Sequence, residues 1–260
     1  MATEAFPEWN WEDPATVSEK MWEMLAGLAQ CEKLEEVAEG PWFGPALLRE
    51  LGVTGVEFAA WKTSHPAGLG ADLVGLRTAG GTPHGATEPG RIYRIDGEYL
   101  FAQLDICQPL PFGDHTLEWV YAEHLIEHVS LAQAIGWLRE VRRVLAPGGL
   151  LRVTTPDLRR YVEGYGRDGG LFDQHRFRAA AARFGPRMPA RDAFMFNQLF
   201  FLWGHRWIYD FDELCYALVS AGFGARAVEL CSYRRGSRPD IASLDQRFRN
   251  DETIYVEATA

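Results

Sequence analysis

Leu131, Ile135, Leu138, Val141 and Leu145 recur at three- and four-residue intervals, which places them on one face of a helix. Ser130 precedes them as an N-cap. Ala146-Pro147-Gly148-Gly149 ends the pattern. LLRVTT (150–155) then reads as a buried strand, apolar at most positions, and LEWVY (117–121) as a shorter one before the helix. Strand, helix, Gly-rich turn, strand is a parallel crossover, so the chain is α/β.

The same reading extends outward. Asp13-Pro14 supplies an N-cap and an N1 proline for a helix carrying Met21, Trp22, Leu25, Leu28 and Ala29, which Gly40-Pro41 stops. A second short helix is expected over 43–51. Strands are expected over 53–60 (VTGVEFAA) and 71–76 (ADLVGL), joined by the breaker-rich WKTSHPAGLG. Residues 78–90, rich in Gly, Thr and Pro, read as a mobile loop. A hairpin follows, RIYRI turning at Asp96-Gly97 into EYLFAQLDI. Residues 157–205 are helical and aromatic and do not fit a crossover helix, so they read as an insertion capping one end of the sheet. Asp212 to Gly222 forms another helix, and RAVELCSY and TIYVEATA form terminal strands making an antiparallel edge. The expected organisation is an N-terminal helical segment (1–52) and an α/β domain (53–260) with its cap at about 157–209.

Composition narrows the possibilities. With 260 residues, 47% of them hydrophobic, the chain can bury a large core without disulfide or metal staples. No run of about 18 apolar residues is present, which excludes a membrane-spanning helix. The start, MATEAFPEWNWEDP, has no secretory character. A net charge of −10 argues against sequence-independent binding to nucleic acid or an anionic membrane. The charge is uneven: residues 1–130 carry 7 basic and 21 acidic side chains, and 131–260 carry 19 and 15. Basic residues in the second half are candidates for an anionic substrate group, although scattered surface arginine is the commoner reading. Cys31, Cys107, Cys215 and Cys231 lie far apart without a C-x-x-C pair and read as reduced thiols of a cytoplasmic protein.

One stretch carries chemistry. Leu104-Asp105-Ile106, Pro111-Phe112, Asp114, Glu118-Trp119-Val120, His124 and Glu127-His128-Val129 are followed by Leu145 to Gly149 and Thr155-Pro156-Asp157. This order resembles the class I S-adenosylmethionine-dependent methyltransferases, in particular their type 11 small-molecule branch. The continuous likeness covers about 100–158, with a looser echo at 205–223. The resemblance implies a Rossmann-like, mostly parallel sheet with helices on both faces, and S-adenosylmethionine as cofactor. It also implies that Asp105 accepts from the adenine amino group and that the Ile106 N–H reaches a ring nitrogen. Tyr121 and Ala122, in the loop expected after the fourth strand, flank the methionine part together with the Glu57–Lys62 loop.

The chain departs from the family earlier. An acidic-x-Gly-x-Gly loop normally lets backbone approach the cofactor. Here Glu57 is followed by Phe58, Ala59, Ala60 and bulky Trp61. Gly75 falls where the ribose-binding acid is expected, three residues from Asp72. An indole at Trp61 is expected to crowd the amino-acid end of the cofactor.

His124 and His128 are the candidate general bases, since histidine near neutral pH can take a substrate proton; each also has a structural reading, with Glu127 and His128 capping the helix and lining the pocket. His124-x-x-Glu127-His128 matches a zinc-protease pattern. Because the methyltransferase pattern already accounts for those letters, no metal is expected. Phe200, Trp203, His205 and Arg206 are candidates for an aromatic, partly basic substrate wall, the alternative being the buried face of the cap. Arg234, Arg235 and Arg238 are candidates for an anion clamp. The tail Trp9-Asn10-Trp11 is expected to pack across the sheet or pocket mouth. The expected function is methyl transfer to a small molecule, with a second copy of the chain as a candidate partner. The alternative is the same fold with its cofactor site lost or repurposed.

Overall fold

A computed structural model describes residues 11, 13–79, 86–167, 169–181 and 188–260. The Asp13 carboxylate accepts the Ala15 N–H and starts α1 (Pro14–Leu28). Two strands follow, β1 (Gln30–Cys31) and β2 (Leu34–Glu39), then α2 (Pro45–Leu51), whose C-cap Gly52 is left-handed. Next come β3 (Gly55–Phe58), β4 (Gly68–Asp72), β5 (Arg77–Thr78) and the hairpin β6 (Arg91–Ile95) and β7 (Tyr99–Gln103). β8 (Leu117–Glu123) leads through a 3-10 turn at Ile126–His128 into α3 (Leu131–Val144). β9 (Leu145–Pro156) precedes the cap helices α4 (Leu158–Gly164), α5 (Leu171–Ala181) and α6 (Asp192–Phe201). The chain ends with α7 (Phe211–Ser220), β10 (Val228–Cys231), α8 (Pro239–Ala242) and β11 (Thr253–Thr259).

The main sheet runs β10-β11-β9-β8-β3-β4-β7-β6-β2. Its five central strands, β9 to β7, are parallel, while β6 and β2 on one side and β11 and β10 on the other pair antiparallel. The chain moves one way from β3 to β4 and the other way to β8, so the topological switch lies beside β3, where open α/β sheets bind ligands beyond their carboxyl ends. On one sheet face Val120, Ala122, Leu151 and Val153 meet Trp137, Leu138 and Val141 of α3 and Leu214 and Leu218 of α7. Reciprocal hydrogen bonds between Ser130 and Gln133 fix the start of α3.

The opposite face is covered unusually. β3 and β4 are joined by residues 59–67 alone, without the helix that parallel neighbours usually need. Trp119, Tyr121 and Leu150 are instead buried by Ile241 and Leu244 from the segment before β11. Arg152 on the same face is fully buried, pairing with Asp245 at 2.6 Å and Glu257 at 2.9 Å.

Several expectations need correction. The N-terminal segment is not helical throughout: residues 34–39, expected within the first helix, form the edge strand β2. A register shift between Glu36 and Ala38 breaks its alternation and hides it from pattern reading. The second strand lies at 68–72 rather than 71–76. Its glycines look like breakers, yet Gly70 allows close approach, since a Cβ there would sit 2.8 Å from the Ala60 carbonyl oxygen. β8 runs two residues beyond the expected 121. Ala146 to Gly149 lie within β9, spanned by a register shift against β8, instead of separating helix from strand. No described helix is long and apolar enough to cross a membrane.

Candidate active site

β3, β4, β7 and β8 end on the same side of the sheet, and a cavity of about 860 Å³ opens beyond them. The β3 tip contributes Glu57, Ala59, Ala60 and Trp61, the β4 tip Asp72, and the segment after β7 contributes Asp105 and Ile106. From the end of β8 come Glu123, His124 and Leu125, with His128 a turn later. The cap supplies Tyr161, His175, Gln198, Trp203, His205 and Arg206, and α1 adds Met21, Trp22 and Leu25.

The loop after β3 keeps a glycine-like shape without glycine. Ala59 takes φ of +57°, in the left-handed region. Trp61 does not plug the crevice. Its indole N–H donates to the Val74 carbonyl at 2.9 Å, and its rings pack against the small cluster of Ala29, Cys31, Leu76, Ile95 and Phe101. The cavity therefore stays open beside the carboxylates.

Placement separates the candidate residues into two groups. Glu57, Ala59, Ala60, Trp61, Asp105, Ile106, His124, His128, Trp203, His205 and Arg206 converge on the cavity. Gly75 does not: because β4 ends at Asp72, the carboxylate at its tip is Asp72, and Gly75 lines a separate small pocket with Thr87 and Gln103. Tyr121 and Ala122 do not either, since β8 continues past them. Tyr121 points to the opposite face and donates to Asp245 at 3.3 Å, while Ala122 lies in the main core. Phe200 packs on Phe196 and Phe201, its ring 5.5 Å from that of Phe196, away from the cavity. Arg234, Arg235 and Arg238 belong to the segment covering the back of the sheet, where Arg238 pairs with Asp240 and Glu118. Trp11 stacks edge-on against Phe194 and Trp203 in the cap. Trp9 and Asn10, and much of the expected loop at 78–90, lie outside the described residues. Helix capping falls to Ser130 rather than to Glu127 or His128.

Asp72, which pattern reading set aside, is the main addition. Burial raises its carboxyl to about 6 against the pull of the Val74 N–H, which it accepts at 2.8 Å. Its signal was present in the sequence as an acidic residue ending the apolar run of the second strand. Asp105 accepts the Cys107 N–H at 2.8 Å. Glu57 and Glu123, at neighbouring strand tips, are both raised to about 7, chiefly by burial.

The histidines differ in freedom. Thr253 spends its hydroxyl proton on the Arg249 carbonyl at 2.6 Å, so it accepts from His124 Nε2 at 2.7 Å. The other nitrogen, Nδ1, lies 3.4 Å from Glu127 Oε1. Burial holds the His124 imidazole far below its usual range, and both its nitrogens face protein groups, an arrangement that suits positioning better than proton transfer. Burial also lowers His128 to about 3 and depresses His205. Burial works against His175, but the Glu252 and Asp251 carboxylates outweigh it and raise the imidazole.

A family model described as a methyltransferase domain matches residues 78–153, which bears out the resemblance read from the sequence where the two overlap, over about 100–153. No curated protein matches the chain. A solved S-adenosylmethionine-dependent methyltransferase from Mesorhizobium loti is 15% identical, with a TM-score of 0.40, covering 83% of this chain and 96% of its own. One from Archaeoglobus fulgidus is 11% identical, with a TM-score of 0.40 and coverages of 83% and 92%. A third, from Thermotoga maritima and described as a possible histamine N-methyltransferase, is 13% identical, with a TM-score of 0.40 and coverages of 97% and 99%.

Proposed function

We propose that this chain transfers a methyl group from S-adenosylmethionine to a small-molecule acceptor. The match of residues 78–153 to a methyltransferase domain supports the chemistry in general. The observation that carries the reading for this chain is the cavity at the switch point, with Asp72 and Asp105 on neighbouring strand tips and the Trp61 indole turned aside. A pair of carboxylates there suits a nucleoside: Asp72 would accept from the ribose hydroxyls, and Asp105 with the Ile106 N–H would meet the adenine edge. Glu57 and the left-handed Ala59 would border the amino-acid part.

When bound, the cofactor supplies an electrophilic methyl group on a sulfonium. The protein's task is then alignment and exclusion of water. The acceptor side is lined by Tyr161, His175, Gln198, His205, Arg206 and Glu252, a polar wall suited to a hydrogen-bonding substrate. Tyr161 donates to Glu252 at 2.5 Å and accepts from Gln198 at 3.1 Å, which orients that wall.

Calorimetric titration tests the reading. S-adenosylmethionine and its demethylated product should bind with micromolar affinity. Asp72→Ala should weaken binding at least about tenfold, as expected on losing hydrogen bonds to a charged group. Tyr121→Phe, on the far face, should leave affinity unchanged. Absence of heat with either ligand, and of competition between them, would reject the proposal in favour of a repurposed site.

A further inference from the structure

We propose that Glu127, His128 and His205 bind a divalent first-row transition metal in the wall of the cavity. The three residues come from two elements, the 3-10 turn after β8 and the loop after α6. Backbone bonds clamp these together: the N–H groups of Arg206 and Trp207 donate to the Glu127 carbonyl at 2.7 and 3.2 Å. One ligand atom from each side chain lies within 4.8 Å of the other two. Metal–ligand bonds of about 2.1 Å need separations of about 3.4 Å, so closure asks for side-chain shifts of roughly 1 Å.

The hydrogen bonding leaves lone pairs aimed at this point. His205 Nδ1 donates to the Leu199 carbonyl at 2.7 Å, which fixes its tautomer and leaves Nε2 free to ligate. The His128 ring interacts with the backbone of Trp203 and Gly204 and lies edge-on to His205, with ring centroids 5.0 Å apart. Glu127 is fully buried. Its Oε2 accepts from Thr155 at 3.0 Å, whereas Oε1 has no hydrogen-bond partner. His124 Nδ1, 3.4 Å from Oε1, itself carries a lone pair when that imidazole is neutral, because Nε2 holds the proton donated to Thr253. Either a proton on Oε1 or a cation resolves this meeting of acceptors, and only the cation also engages His128 and His205. Arg249 bears on all three groups and opposes a positive charge, and Glu252 acts in the opposite sense on Glu127 and His205.

Two imidazoles and one carboxylate suit zinc, cobalt, manganese or iron(II) better than the all-oxygen preferences of magnesium and calcium. This is not the zinc-protease arrangement suggested by His124-x-x-Glu127-His128, because His124 is turned to Thr253 and His205 takes its place. His128 and His205 line the cavity, so the open coordination positions face it. On the methyl-transfer reading, an acceptor oxygen or nitrogen would complete the coordination there.

The test uses the whole chain, stripped with a chelator and titrated with Co²⁺ while visible absorption is followed, then competed with Zn²⁺, without cofactor or acceptor. The expected result is one Co²⁺ per chain, an absorption unlike that of the aqueous ion, displacement by Zn²⁺ but not Mg²⁺, and loss of at least tenfold in affinity for His205→Ala and Glu127→Gln. Cys107→Ser should bind as the parent does. The metal-free melting temperature checks that each variant folds. An aqueous-type spectrum throughout, or undiminished binding by both folded variants, would overturn the site. Neither outcome bears on cofactor binding, which the calorimetry reads separately.

Discussion

At the scale of single residues, the tips of β3 and β8 hold carboxyl groups kept out of water, Glu57 and Glu123. Glu57 illustrates the consequence: it is 7% exposed, and its Oε2 has no hydrogen-bond partner. Burial holds its carboxyl at about 7, above the ordinary value of 4.5. The folded chain therefore keeps a proton that the unfolded chain releases near pH 4.5. The resulting contribution to stability is fully present below that pH and is lost as pH rises through about 7. Glu57→Gln cannot ionise, so its stability relative to the parent should rise between pH 5.5 and 8.5. An increase of about 1–3 kcal/mol is expected from the size of the shift. Denaturant melts at the two pH values measure it, and a pH-independent difference would show that Glu57 ionises freely. Asp72 and Gly75 teach a related lesson about reading. Both stood in the sequence, but choosing between them required knowing where β4 ends, and the local pattern misplaces that end because Gly68 and Gly70 are there for contact.

At the scale of elements, legibility followed the strength of local signals. The Ser130 cap, the apolar stripe of α3 and the LLRVTT strand share one crossover, and each agrees with the others. The hairpin turning at Asp96-Gly97 was equally plain, with Asp96 at φ of +54°. β2 was not legible, because its bulged pairing with β6 is specified by a partner more than 50 residues away. Nor was the direction of Trp61, which depends on an apolar cluster assembled from the C-cap of α1, β1, the residue before β5, β6 and β7. The loop after β3 gives an element-scale prediction. Ala59 holds a left-handed conformation that costs about 1–2 kcal/mol for a residue with a Cβ. Glycine relieves that cost but adds about 0.4–1 kcal/mol of unfolded-state entropy. Ala59→Gly should therefore leave the melting temperature unchanged or raise it, by up to about 1.6 kcal/mol in stability. A clear drop in thermal scans would mean that the methyl group is packed, contrary to its exposed position.

At the scale of the whole molecule, the cavity is built from parts far apart in sequence: strand tips as its floor, the helices α4 to α6 and the loop after them as one wall, and α1 across another side. Val17 and Met21 of α1 are buried near Leu202 and packed with Trp11, Phe194 and Trp203. The helix thus docks on the cap, while Met21, Trp22 and Leu25 also face the cavity. A ligand touching α1, cap and strand tips together binds best when all three are assembled. Its binding energy therefore opposes any local opening that detaches α1. Saturation at 100 times the dissociation constant adds about 2.7 kcal/mol against such opening, or roughly a hundredfold slower amide exchange. Hydrogen exchange with and without S-adenosylmethionine should show that slowing over residues 18–28. The outer β2–β6 edge, which does not line the cavity, should fray as before. If the tips of β4 and β7 gained protection while α1 exchanged unchanged, the helix would be a bystander and the cavity would be closed by the cap alone.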